Sequence, residues 1–359
     1  MKALVLWADE ESPNLGVRVL AKGMEVLLKR AYPGIVVDSL ADATNAAGIG
    51  LSGRHLAREL VGARGPLARF IKGYDVVVDI GGGDSFSDIY GLKRLALMQQ
   101  VHILCRRAGV PLIIGPQTIG PFSSPAAKWI GRSMLTSSVM SVARDSKSAE
   151  YSRTIGAPVS LTATDVVFAL DKPRHRSRNG VVVNVSGLLW DSSRHGDSAA
   201  YQTSIKRLVD QLLADGRSVT FLAHVLDSPS ADNDCRIFPA LNELYGGSTS
   251  YVIPRDLEYV RQMLASAEVV VGSRMHACLN GLSVGTPAVA WAYSRKFAPL
   301  LDDLGWEQVV DLATSKDPVA ATMDHMSVEG DSRQRIGALN ERAESKLEAV
   351  VERLRAGWN

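Results

Sequence analysis

The chain is poor in cysteine, in long apolar runs and in net charge, and each shortage removes a class of protein. Its three cysteines, Cys105, Cys235 and Cys278, are odd in number, far apart and never spaced Cys-x-x-Cys. That argues against a disulfide framework and against structural zinc, so buried thiols are expected. No His-x-x-x-His pair occurs to hold a catalytic zinc. No apolar stretch approaches the roughly 18 residues that span a bilayer. The first one, Ala3-Leu4-Val5-Leu6-Trp7-Ala8, runs at once into Asp9-Glu10-Glu11, which suits a buried strand better than a signal-peptide core. A soluble, cytoplasmic chain is expected, touching the inner face of the membrane only peripherally. With a formal net charge of +2, bulk electrostatics offers nothing to nucleic acid, and any anion binding has to be local.

What is present is an ordinary globular composition, 46% apolar and 22% charged. At 359 residues the chain is long for one core and comfortable for two of roughly 150 to 180 residues. Residues 2–7, 75–80, 111–114, 138–142, 181–185, 218–223, 268–271 and 288–292 read as strands. Several are apolar on consecutive rather than alternating residues, the pattern of strands covered on both faces, and helical stretches separate them. Parallel α/β layers follow. Residues 171–179 are polar, contain a proline and read as a linker. A weak echo relates the halves: strand, glycine turn, helix, Gly-x-Pro, strand. It runs from Asp75 through Gly81-Gly82-Gly83 to Gly109-Val110-Pro111, and again from Glu268 through Gly272 to Gly285-Thr286-Pro287. The economical architecture is two Rossmann-like domains with parallel sheets facing a central cleft, residues 1–172 and 180–330. In the tail, 331–359, Ile336, Leu339, Ala343, Leu347, Val350 and Leu354 make one apolar stripe of a helix expected to pack back on the body.

The most informative stretch is Val269-Val270-Val271-Gly272-Ser273-Arg274-Met275-His276. A β-branched run that breaks at Gly-Ser and restarts as a helix leaves the first N–H groups of that helix without intrahelical partners, and anions bind such ends. This junction also carries a guanidinium and an imidazole, and the next strand leads to Arg295 and Lys296. A lone histidine at a helix start is more often structural; beside these cations it belongs to a group suited to a small, doubly charged ligand. Gly81-Gly82-Gly83-Asp84 closes another buried strand, where glycines let backbone approach a ligand closely. It lacks dinucleotide or P-loop spacing, and a plain turn with Asp84 as helix cap explains it equally well. Gln117, in what reads as a rigid loop from Gly115 to Phe122, can hydrogen-bond a sugar or a carboxylate. Arg144, at a strand end, serves either an anion or a neighbouring acid. His224, followed by Asp232-Asn233-Asp234, reads either as a polar rim or as a solvated loop. Trp190, Arg194 and His195 are a weaker candidate for stacking on a sugar.

Taken in order, these residues resemble the polysaccharide pyruvyl transferase family over roughly 14–306. The resemblance rests on Ser273-Arg274-Met275-His276-Ala277, Gly285-Thr286-Pro287, Tyr293-Ser294-Arg295-Lys296 and Leu304-Gly305. Arg144-Asp145 with Ser148 and Gly156, Asp165 before Phe168, Gly81-Gly82-Gly83, and Gln117 with Gly120-Pro121-Phe122 also match in order. It implies a GT-B-like fold and transfer of pyruvate from phosphoenolpyruvate to two hydroxyls of one sugar, forming a cyclic ketal on a surface polysaccharide or its lipid-linked precursor. Arg274, Met275 and His276 then fall in the donor-binding segment and Lys296 on the family's lysine. His276 becomes the acid/base and Asp84 a base toward the acceptor. Arg144, Arg295, Gln117, Gly82, Gly83 and His224 are further substrate contacts. No cofactor or metal is demanded, since the cations neutralise the phosphate. Two positions depart from the pattern. The family's early Asn-x-Gly-Asp stands here as Asn14-Leu15-Gly16-Val17, without its acid, and Met275 replaces a leucine of similar volume. The competing readings are a GT-B glycosyltransferase using a nucleotide sugar, which many such enzymes hold with a glutamate where this chain has Asn280, and a non-catalytic anion-binding scaffold.

Overall fold

Consecutive valines set the architecture. Val76-Val77-Val78 and Val181-Val182-Val183 bury every side chain, each burial contributing about 1.5–3 kcal/mol, and a strand covered on both faces has to lie between layers of helix. The computed structural model describes residues 1–41, 49–51, 53, 59, 65–173, 178–193, 196–228, 232–294, 296–327 and 329–357. Arg194, His195 and Arg295 lie outside them. The chain divides into two units. The first contains Met1–Ser12, Leu20–Ala169 and Ala343–Asn359; the second contains Pro13–Val19 and Leu170–Arg342.

The first unit holds β1 (Lys2–Leu6), β2 (Val36–Leu40), β3 (Val76–Asp79), β4 (Leu112–Gln117), β5 (Met140–Ala143) and β6 (Leu161–Thr162), in the order β2-β1-β3-β4-β5-β6. The second holds β7 (Val181–Asn184), β8 (Val219–Leu222), β9 (Ser250–Val252), β10 (Val269–Gly272), β11 (Ala288–Ala292) and β12 (Val309–Asp311), in the order β12-β11-β10-β7-β8-β9. Every strand pairing within these two sheets is parallel among the described residues. Both sheets reverse their direction of growth once, between β1 and β3 and between β7 and β10. The carboxyl ends at such a reversal are where an open α/β sheet leaves room for a ligand. After β1 and β3 come Trp7 and the glycine turn; after β7 and β10 come Ser186 and Ser273-Arg274.

The eight runs read as strands from sequence are all strands. The four that escaped, β2, β6, β9 and β12, are the four sheet edges. They are short or half-exposed and carry Asp38, Thr162, Ser250 and Asp311, so no long apolar run announces them. One expected loop is corrected: β4 runs on to Gln117, which ends a strand buried at all six positions. The tail forms a helix, Glu329–Arg355, whose expected stripe from Ile336 to Leu354 is buried throughout. Among the described residues, no helix is long and apolar enough to cross a membrane.

Gly23 lies inside the helix Leu15–Ala31, where alanine is intrinsically better by about 1 kcal/mol. A Cβ there would stand 2.4 Å from the Val166 carbonyl oxygen, a backbone atom with nowhere to go. Gly23→Ala is therefore expected to lower the thermal midpoint in calorimetry, with overpacking of about 1–3 kcal/mol outweighing the gain in propensity.

Candidate functional site

In the second unit, the ends of three strands are tied to one carboxylate. Asp234 is fully buried and begins the 3-10 turn Asp234–Ile237. It accepts from the backbone N–H groups of Gly187, His224 and Val225, all at 3.0 Å, and from Asn184 Nδ2 at 3.3 Å. It also accepts from Arg274 Nε at 3.2 Å and Nη2 at 2.7 Å. Asn184, the last residue of β7, completes the frame by accepting from Arg274 N at 2.9 Å. The remaining edge of the guanidinium meets the Asp232 carboxylate, with the Asp232 carbonyl 3.1 Å from Nη2. Burial would push the Arg274 pKa down, but the charges of Asp234 and Asp232 outweigh it and hold the pKa above its ordinary value. The two acids differ: the Asp234 side chain is 0% exposed and the Asp232 side chain 36%.

The helix Met275–Ser283 starts directly from Arg274, so the same ties position His276 in its first turn. A Cβ on Gly272 would meet Cys278 Sγ at 2.7 Å, which is why this helix needs glycine at the strand end. Arg261, also buried, donates to Asn280 Oδ1 at 3.0 Å and Ser283 Oγ at 2.8 Å, and to the carbonyl of Asp171 at 3.1 Å. Burial pushes its pKa down to about 10, against the charge of Asp171. A guanidinium only donates, so Asn280 must turn its oxygen to Arg261 and its amide nitrogen to the His276 carbonyl, 2.8 Å, and to His224 Nε2, 3.2 Å. His224 therefore accepts at Nε2, and its proton sits on Nδ1. Burial, then the charges of His276 and Arg274, hold its pKa well below the usual imidazole value. The segment Pro13–Val19 belongs here as well. Leu15 N donates to the His224 carbonyl, and a Cβ on Gly16 would lie 2.8 Å from His276 Nδ1; glycine is what lets this turn lie against the imidazole.

The first unit has a second polar cluster, at the carboxyl ends of β3, β4 and β5. Gly81, Gly82 and Gly83 all have positive φ. A Cβ on Gly81 would stand 1.9 Å from Gln117 Oε1, and one on Gly83 3.0 Å from Arg144 Nη1. Asp79 fixes the turn by accepting from Gly81 N at 2.8 Å, and His102 Nε2 lies 2.7 Å from its other oxygen. Arg144 pairs with Asp165 at 3.1 Å and donates to Thr118 at 2.9 Å. Its Nη2, and Gln117 Oε1, are buried without hydrogen-bond partners among the described residues, an unmet donor and acceptor that cost about 1–3 kcal/mol each.

The candidates from sequence thus fall into two groups. Arg274, His276 and His224 come together in the second unit, where Lys296 precedes the helix Phe297–Asp303 and Met275 is buried. Gly82, Gly83, Gln117 and Arg144 come together in the first, with Asp84 closing the turn and accepting from the Tyr90 hydroxyl at 3.0 Å. The Asp232-Asn233-Asp234 stretch is no solvated loop, since Asp234 is its most buried member. Asn184 and His102 were not legible as site residues, because neither carries a motif and each acts through a contact distant in sequence.

The family model of polysaccharide pyruvyl transferases matches residues 14–295. The amylovoran biosynthesis protein AmsJ of Erwinia amylovora is 24% identical over 258 residues, 66% of this chain and 60% of that protein; the match spans less than two thirds of that relative's length. The crystal structure of the UDP-GlcNAc 2-epimerase of Neisseria meningitidis bound to UDP-GlcNAc aligns with a TM-score of 0.59 at 10% identity, covering 99% of each chain. Anabaena HepE in complex with UDP and glucose aligns at 0.54 with 11% identity, covering 99% of this chain and 100% of that one. At these identities the likeness shows a GT-B-like fold of two parallel-sheet units.

Asp234→Asn should destabilise the second unit by about 3–5 kcal/mol in chemical denaturation, since it strips a buried guanidinium of its counter-charge. His224 gives a pH signature. Its folded pKa is depressed, so below about pH 6.5 the unfolded chain binds a proton that the folded one refuses. Stability is then lost as pH falls, by about 1.4 kcal/mol per pH unit. Urea midpoints at pH 7.5 and 5.5 should show that loss in the wild type and a smaller one in His224→Gln.

Proposed function

The chain belongs to the polysaccharide pyruvyl transferase family, and from that premise we propose that it transfers pyruvate from phosphoenolpyruvate to a sugar in exopolysaccharide biosynthesis, closing a cyclic ketal. One observation carries the donor assignment. Arg274 already holds a carboxylate, that of the part-exposed Asp232, on the guanidinium edge that the buried Asp234 does not use. The carboxylate of phosphoenolpyruvate has the same charge and geometry, so it can take the place of Asp232 there. Lys296 and the start of the helix Met275–Ser283 supply charge and dipole for the phosphate, and His276 lies two residues after Arg274.

In this reading the His276 imidazolium gives its proton to the methylene carbon of the enol, which becomes the methyl group, while a sugar hydroxyl bonds to the neighbouring carbon. The second hydroxyl then displaces phosphate from that carbon and returns a proton to His276. The first hydroxyl proton needs another acceptor and finally leaves with the phosphate. Asp84 is the carboxylate the sequence offers for it. Arg144, Gln117 and the Gly82-Gly83 turn are assigned to saccharide and anion contacts, which would satisfy the unmet donor and acceptor buried there. Asn280 speaks against a nucleotide-sugar donor, because both its N–H groups are used and its oxygen faces Arg261.

Calorimetric titration with phosphoenolpyruvate and with UDP- and GDP-sugars tests the donor. Binding of phosphoenolpyruvate alone is expected; selective binding of a nucleotide sugar sinks the proposal. Asp232→Asn should lower KM for phosphoenolpyruvate a few-fold, by the about 1 kcal/mol or less of a part-exposed ion pair. His276→Ala should lower kcat by about 10²–10⁴-fold, the worth of a general acid, with donor affinity kept. Phosphate release and mass spectrometry of the glycan provide the readouts.

A further inference from the structure

A groove in the first unit plays no part in the chemistry above. It lies between the helices Pro125–Ser137 and Ser146–Thr154, has a volume of about 540 Å³, and is lined by Lys128, Trp129, Arg132, Tyr151, Arg153 and Gly156 among others. Three features of it need explaining together.

Its charge is of one sign. Lys128, Arg132 and Arg153 are exposed, and no ion pair joins any of them to an acid among the described residues. Between residues 112 and 164 the sequence holds only two acids, Asp145 and Glu150. Asp145 is buried as the cap of the second helix, and Glu150 is engaged by Lys147 at 3.5 Å. The carboxyl end of that helix brings roughly half a negative charge, far short of three full positive ones. Its aromatic surface is uncovered: Trp129 is 65% exposed, the most exposed large hydrophobic side chain among the described residues, beside the half-buried Tyr151. The geometry is also built. Gly156, at φ +71, carries no side chain where a Cβ would stand 2.7 Å from Arg132 Nη1, so the guanidinium can lie along the groove wall.

We propose that this groove is an accessory subsite for an acidic saccharide, with a sugar ring stacked on the Trp129 indole and its carboxylates taken by Arg132, Arg153 and Lys128. The inference rests on the reading of the acceptor as a polysaccharide. If that reading holds, each ketal formed adds one carboxylate to the glycan, and the groove prefers the stretch of chain that already carries them. A concave site with one exposed indole suits a ring bearing a charge better than a lipid surface, which would call for a protruding apolar face.

The test is a binding measurement that needs no turnover, so it stands apart from the donor assignment. A pyruvylated oligosaccharide and its counterpart stripped of pyruvate by mild acid are titrated into the full-length protein, followed by tryptophan fluorescence and calorimetry, with UDP as a further probe. The expected result is binding of the acidic glycan at least tenfold tighter than of the neutral one, weakening as salt rises. Arg132→Gln/Arg153→Gln and Trp129→Ala should each lose about tenfold, while Lys147→Gln on the same face keeps wild-type affinity. Thermal midpoints unchanged across these surface variants separate lost binding from lost folding, and pyruvyl transfer to a monosaccharide acceptor should be unaffected. Equal affinity for both glycans, affinity unchanged in the groove variants, or UDP binding the groove more tightly than the acidic glycan would each overturn the proposal.

Discussion

The ion pair between Asp234 and Arg274 is the constraint on which the second unit's working edge depends. A buried guanidinium is tolerable only beside a counter-charge, and a buried carboxylate only with its lone pairs met. Asp234 meets both conditions by gathering N–H donors from the segments after β7 and β8 and the guanidinium that follows β10. Three loops from distant parts of the sequence are fixed by one side chain. The start of the helix carrying His276 is held in place as a result, through Arg274 at its cap.

Around that pair, the buried polar side chains are committed to one another. Arg261 fixes the amide of Asn280, the amide fixes the tautomer of His224, and His224 stays neutral because burial and two neighbouring cations disfavour its charge. Asp232 is the exception, partly open to solvent on the free side of Arg274. The first unit is arranged differently: its glycine turn is shaped by side chains lying directly on it, Gln117 and Arg144, and by Asp79 beneath. There the unmet polar atoms are part of the frame itself.

Both clusters sit at carboxyl ends of parallel strands, and the one in the second unit straddles the point where its sheet reverses. This follows from topology: neighbouring helices connect to opposite faces at that point, so the loops diverge and leave the strand ends open. Asn14-Leu15-Gly16, near the start of the chain, rests against His276 in the second unit, a placement that a reading of the first 172 residues as one domain does not foresee.

The sequence by itself determined the parallel α/β class, the eight central strands, the tail helix and the Ser273-Arg274-Met275-His276 junction. In each case the signal is local: consecutive β-branched residues, a three-and-four apolar period, or a glycine break followed by charge. Tertiary structure alone decided the four edge strands, which have no apolar run to betray them and exist only because a neighbour offers them hydrogen bonds. It also decided which charges are committed. Arg274 and Arg144 look alike in the sequence as cations at strand ends. Only the folded chain gives Arg274 one buried and one part-exposed acid, and Arg144 a single acid with one nitrogen unmet, because the strength of a charge depends on burial and on partners up to tens of residues away.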